Sequence, residues 1–121
     1  AEPSPDRAVL LRKDAHVRWL TTVAIAGTSM EPALRSGDWW LVQRTRAVRP
    51  GDVIAFWEPG RVDLLAVKRV HHAQADGWWV LGDSAQSSID SRQYGAVAPD
   101  AVLGRLVMRV RRSSGGVSGR S

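Results

Sequence analysis

The chain has 121 residues, no cysteine, and a net charge of +5 from 17 Lys and Arg against 12 Asp and Glu. That length holds one domain with a real core and not two. A hydrophobic content of 44% excludes a disordered polymer, and the missing cysteines exclude a disulfide framework, a thiol nucleophile and a Cys-based metal site.

The polar, Pro-rich residues 1–7 read as a flexible arm and the Ser/Gly-rich residues 113–121 as a disordered tail, leaving residues 8–112 as the folded domain. Residues 17–26 read as a strand. They are also the best membrane-span candidate, but about twenty apolar residues are needed and this stretch is half that and contains Arg18. The N-terminus does not look like a secretory signal. A cytoplasmic location is therefore expected, or a membrane-associated one if an anchor has been removed. Residues 38–44 read as a second strand around Trp39-Trp40-Leu41-Val42. Arg49-Pro50-Gly51-Asp52 is a turn before a strand over 53–57, and Glu58-Pro59-Gly60 turns into a longer strand over 64–72. Asp76-Gly77 is a hairpin signal with 78–81 as the return strand, and 102–110 closes the domain. Single helical turns are expected at 30–35 and 99–103. The fold class is mainly β: a small, partly closed antiparallel β-domain with short helical turns.

Two elements carry chemistry. Gly27-Thr28-Ser29-Met30-Glu31-Pro32 offers a serine in a short Gly-led turn. By itself this serine is equally a helix-turn cap, with Pro32 in the first turn. Such a turn also leaves main-chain N–H groups for an oxyanion. Lys68 is one of only two lysines and stands in the apolar run Leu64-Leu65-Ala66-Val67-Lys68-Arg69-Val70. A lysine there snorkels to water or is buried for a purpose. An unperturbed lysine, with a pKa of about 10.4, is neutral at pH 7 only about 10⁻³·⁴ of the time, a handicap of roughly 4–5 kcal/mol. Burial lowers a lysine pKa by up to ~3–5 units, enough to make it a working base for a serine hydroxyl. Arg69, on the opposite face, stays protonated and reads as structural. A third element, residues 82–92, is a hydroxyl-rich polar loop in which Asp90 and Arg92 are spaced to pair.

His71 and His72 are adjacent on a strand and so are expected to point to opposite faces. With His16 the only other histidine, no metal site and no cofactor is expected. Six tryptophans on a basic chain permit a DNA-binding β-module. However, the basic residues are scattered from Arg7 to Arg120, and Trp39-Trp40 and Trp78-Trp79 are expected to place one indole inside and one outside a sheet. No nucleic-acid partner is therefore expected.

The order of these elements resembles the type I signal peptidase family of Ser/Lys proteases. The resemblance rests on Gly27 to Pro32, on Arg49-Pro50-Gly51-Asp52-Val53-Ile54-Ala55-Phe56, on Lys68-Arg69-Val70, and on Gly82-Asp83-Ser84 with Ser88-Ile89-Asp90-Ser91-Arg92-Gln93-Tyr94-Gly95. It spans about Val23 to Val110. It implies that Ser29 is the nucleophile, Lys68 the general base, and Ser88 a residue that orients the lysine amine. It implies further that Gly27 and Thr28 form the oxyanion-hole turn, with Gly27 where some relatives have a hydroxyl donor. Asp90 and Arg92 would be a structural ion pair, and Met30 would line the substrate pocket. Ser84 departs from the family's usual asparagine, and the boxes are unusually compact. That compactness, with residues 63–69 and 77–83, is similar to the small soluble proteases that mature nickel-type superoxide dismutase, and implies removal of an N-terminal propeptide from a protein precursor. Repressor-type Ser/Lys self-cleaving domains are an alternative that would not be expected to carry the Gly-Asp…Asp-Ser-Arg box.

Overall fold

The computed structural model describes residues 7–13, 19–61, 63–84 and 88–112. The arm before Arg7, the tail from residue 113, and residues 85–87 of the polar loop lie outside them. Seven strands appear among the described residues: β1 (Arg7–Lys13), β2 (Leu20–Ile25), β3 (Trp39–Gln43), β4 (Val53–Trp57), β5 (Leu65–Gln74), β6 (Gly77–Leu81) and β7 (Val102–Arg111). One helical turn, α1 (Ser91–Tyr94), and a 3₁₀ turn at Pro99–Ala101 complete the order.

All pairings are antiparallel, in the order β1-β2-β3-β7-β4-β5-β6. β1 also pairs with β5, through Arg7↔Ala66 and Ala8↔Leu65. That short extra contact brings the sheet round on itself, so the expected mainly β, partly closed antiparallel domain is what forms. β2 shows the cause locally. Its residues alternate half-buried and buried, and Thr21, Val23 and Ile25 turn inward; a period of two buries one face of a strand. β4 and the first half of β5 are buried almost continuously, as strands covered on both faces must be. The core has two clusters. One centres on Val23, Met30, Leu34, Val42, Ala55 and Val67. The other centres on Ile54, Phe56, Ala66, Val70, Val80 and Val97.

Two details differ from the sequence reading. Arg7, assigned to the arm, begins β1, and β1 itself has no alternating pattern to signal it; it exists by pairing with β2 and β5. Residues 91–94, read as loop, form α1, because Asp90 and Gln93 make a reciprocal capping box. Of each tryptophan pair one ring packs on the core and the other does not, as expected, although none is fully exposed. All four are half-buried: Trp40 packs against the first core cluster, Trp78 against the second, and the Trp79 ring stacks on His72 at 6.0 Å.

Candidate active site

β2 ends at Ile25 and the chain enters the Gly27–Pro32 turn, where Gly27 takes φ 92°. That left-handed conformation costs a side-chain-bearing residue energy and a glycine none. It reverses the chain so that Thr28 is exposed while Ser29 and Met30 are buried. The turn closes through Glu31 N–H to the Thr28 carbonyl at 3.1 Å and Leu34 N–H to the Met30 carbonyl at 2.9 Å, so hydrogen-bonded turns over residues 29–33 stand where a helical turn was expected at 30–35.

Lys68 lies in the middle of β5, opposite Ile54 of β4. It is 0% exposed, and Ser29 is 3% exposed. Although 39 residues apart in sequence, they meet: Lys68 Nζ donates to Ser29 Oγ at 3.2 Å. Two sequence-selected residues from separate boxes therefore share one buried contact. The distance is at the long end for a hydrogen bond.

The Gly82–Arg92 loop is tied to the Ser29 turn from the other side. Ser84 N–H donates to the Ser29 carbonyl at 2.7 Å, and Asp83 N–H reaches Met30 Sδ at 3.4 Å. Met30 is thus a core residue that pins the loop to the turn, only 3% exposed. Ser88 Oγ donates to the Ser84 carbonyl and lies 3.4 Å from the Ser29 carbonyl. These contacts act on the Ser29 peptide carbonyl, and the Ser88 oxygen keeps lone pairs for accepting. Gly82 makes the approach possible. A Cβ there would sit 1.8 Å from Ser88 Oγ and 3.1 Å from the Ser29 carbonyl oxygen.

Asp90 and Arg92 pair as spaced. Arg92 Nε donates to Asp90 Oδ1 at 2.9 Å and Nη2 to Oδ2 at 2.7 Å. Asp90 is fully buried and also accepts from Gly82 N–H at 2.9 Å and Arg92 N–H at 3.2 Å. Burial pushes its carboxyl up, but the hydrogen bonds from Arg92 and Gly82 and the Arg92 charge outweigh it, and the net direction is below the ordinary value. Ser91, also buried, accepts Val80 N–H at 2.8 Å, so α1 caps an amide of β6.

Two residues matter more than their sequence positions suggested. Arg69 donates Nε to Asp83 Oδ1 at 2.9 Å, Nη2 to Asp83 Oδ2 at 2.8 Å and Nη1 to the Gly51 carbonyl at 3.0 Å. It therefore joins the Arg49–Phe56 box, the lysine strand and the Gly82–Asp83 loop. The signal was present, an arginine and an aspartate each inside a box, but pairing across 14 residues has no periodicity. The side-chain hydrogen bond to Asp83 is the main reason the Arg69 guanidinium holds its proton still more firmly than usual.

The histidines depart from expectation. Between Val70 and His72 the β5–β6 register shifts, with Val70 opposite Val80 and His72 opposite Trp79. The extra residue is a β-bulge, which breaks strand alternation. His71 and His72 consequently meet, Nδ1 to Nδ1 at 2.7 Å, rather than pointing apart. No group of three or more His, Cys, Asp or Glu residues poised for a metal ion occurs among the described residues. Among those residues, too, no helix is long and apolar enough to cross a membrane.

A serine held on a glycine turn by a small antiparallel β-scaffold is an arrangement in keeping with serine peptidases. The chain belongs to the Peptidase S24-like family, whose profile matches residues 6–107. It is also similar to the mitochondrial inner membrane protease subunit 1 of Xenopus tropicalis, with 28% identity over 112 residues, covering 73% of this chain and 67% of that protein. Both place it among the peptidases in general.

Proposed function

We propose that the protein is a serine endopeptidase working through a Ser29/Lys68 dyad. The 3.2 Å contact between Lys68 Nζ and Ser29 Oγ, with both groups buried, carries this reading. Removal from water disfavours a charged ammonium, which works toward the neutral amine a base requires. In the reaction, Ser29 Oγ attacks the scissile carbonyl carbon as its proton passes to Lys68 Nζ. The carbonyl oxygen takes up the negative charge beside the main-chain N–H groups of the Gly27-Thr28-Ser29 turn. The C–N bond then breaks, and Lys68 returns the proton to the leaving amine. Water, activated by the same amine, releases the acyl group and restores Ser29. Ser88 is assigned to orient the Lys68 amine through its oxygen lone pairs, and the Asp90–Arg92 pair to hold the loop that carries Ser88. Met30 supports the turn from below and borders the peptide site.

The substrate we assign is a protein precursor with a removable N-terminal extension, and the nickel-type superoxide dismutase precursor is the first to test. The test is intact-mass analysis of that precursor after incubation with the protein, with Ser29→Ala and Lys68→Ala as controls. One cut, lost in both variants, supports the reading. Cleavage that survives Lys68→Ala removes the dyad. A second reading has support from the similarity to an inner membrane protease subunit: a peptidase acting on precursors presented at a membrane. No cut in the dismutase precursor but a Ser29-dependent cut in a secretory precursor in detergent selects that reading.

A further inference from the structure

The bulge in β5 creates a feature that peptide hydrolysis does not use. His71 and His72 are turned to one side with their Nδ1 atoms 2.7 Å apart. Their rings stand nearly perpendicular, at 80°, with centroids 5.0 Å apart. The pair is supported rather than loose. The His72 ring stacks on Trp79, its cross-strand partner, at 19° and 6.0 Å. His72 Nε2 lies 3.2 Å from the Gln74 side-chain amide. Two ring nitrogens this close share one proton, and a cation that accepts both lone pairs takes that proton's place.

The separation selects the kind of cation. Two metal–imidazole bonds of about 2.0 Å that span 2.7 Å enclose an angle of about 85°. A tetrahedral ion, with angles of about 109°, needs the nitrogens about 3.3 Å apart. A right angle is the cis position of a square-planar or tetragonal site with nitrogen ligands. Gln74 completes the logic. Once both Nδ1 atoms bind metal, His72 carries its proton on Nε2, and the Gln74 amide, rotated end for end, accepts it through Oε1.

We propose that His71 and His72 form a two-imidazole chelate for a divalent transition-metal ion of tetragonal preference, with copper(II) the strongest binder of its series. His71 is exposed, so an ion reaches it from solvent, and water fills the remaining positions. The site also borders the peptidase loop. His71 lines a cavity of about 260 Å³ together with Arg69, Val70, Leu81, Gly82 and Asp83. The proposal does not depend on the Ser29/Lys68 reading.

The experiment is calorimetric titration of the full chain with copper(II) alone in a non-coordinating buffer, paired with electron paramagnetic resonance of the one-equivalent complex. The expected result is a tetragonal signal with hyperfine splitting from two imidazole nitrogens. Affinity should fall by about 10-fold or more in either His71→Ala or His72→Ala, since each leaves a single ligand. Wild-type affinity in either single His71 or His72 variant overturns the chelate. So does a wild-type spectrum with fewer than two imidazole nitrogens, a readout that needs no variant to fold.

Discussion

Gly82→Ala should disable the protein through the site rather than through its stability. The added Cβ would lie 2.6 Å from Ser88 Cβ and 1.8 Å from Ser88 Oγ. The hydroxyl can rotate away, but Cβ is fixed to the main chain, so Ser88 must retreat by about 1 Å to reach ordinary contact near 3.6 Å. The new Cβ also meets the Ser29 carbonyl oxygen at 3.1 Å, so the loop cannot relax toward the Gly27–Pro32 turn. Overpacking of this kind costs about 1–3 kcal/mol. A displacement of about 1 Å near reacting groups costs on the order of 10²-fold in rate. Gly95→Ala is the matched control. Gly95 has φ 85° and nothing within 4 Å of its virtual Cβ, so alanine there meets backbone strain alone, about 1–3 kcal/mol. The assay is thermal unfolding beside kcat/KM on a cleaved precursor peptide. Both variants should lose similar stability, and only Gly82→Ala should lose activity at a temperature where each remains folded. Adding Ser88→Gly to Gly82→Ala removes the opposing Cβ and should restore stability, whereas Ser88→Ala should not. Wild-type kcat/KM in Gly82→Ala, or equal activity losses in the two glycine variants, refutes the reasoning.

Asp90, whose carboxyl is held below its ordinary 3.8, stabilises the fold fully above that unfolded-state value. The contribution is lost as pH falls through the lower folded value, so Asp90→Asn should flatten the acid limb of a Tm-against-pH curve below about pH 4; superimposable limbs would contradict this. Ser91→Ala strips the buried Val80 amide of its 2.8 Å acceptor and should cost about 1–3 kcal/mol in denaturant unfolding, with an unchanged m-value. If Lys68 is the base, kcat/KM under chemistry-limited conditions should rise with pH as its amine deprotonates. A profile that is flat from acid to alkaline pH would count against that role.

The site was more legible in the sequence than the scaffold around it. Ser29 and Lys68 stood out because each is chemically out of place, a hydroxyl in a Gly-led turn and a lone lysine in an apolar run. The β2, β4 and β6 strands were legible because turn residues bound them and burial follows a period of two or a continuous apolar run. What was missed is non-local. β1 has no alternation, and only its partners β2 and β5 make it a strand. Arg69 read as structural with no partner named, and only folding joined it to Asp83, at 2.8 Å.

The sequence determined the class of domain, its turns, and which side chains are chemically out of place, because those follow from local propensity and patterning. It did not determine what faces what. A hydrogen bond across 39 residues, the close approach that only Gly82 permits, and two histidines turned to one side all depend on register and on one inserted residue in β5. Strand pairing sets those distances through contacts between segments far apart in the chain, and only the tertiary structure decided them.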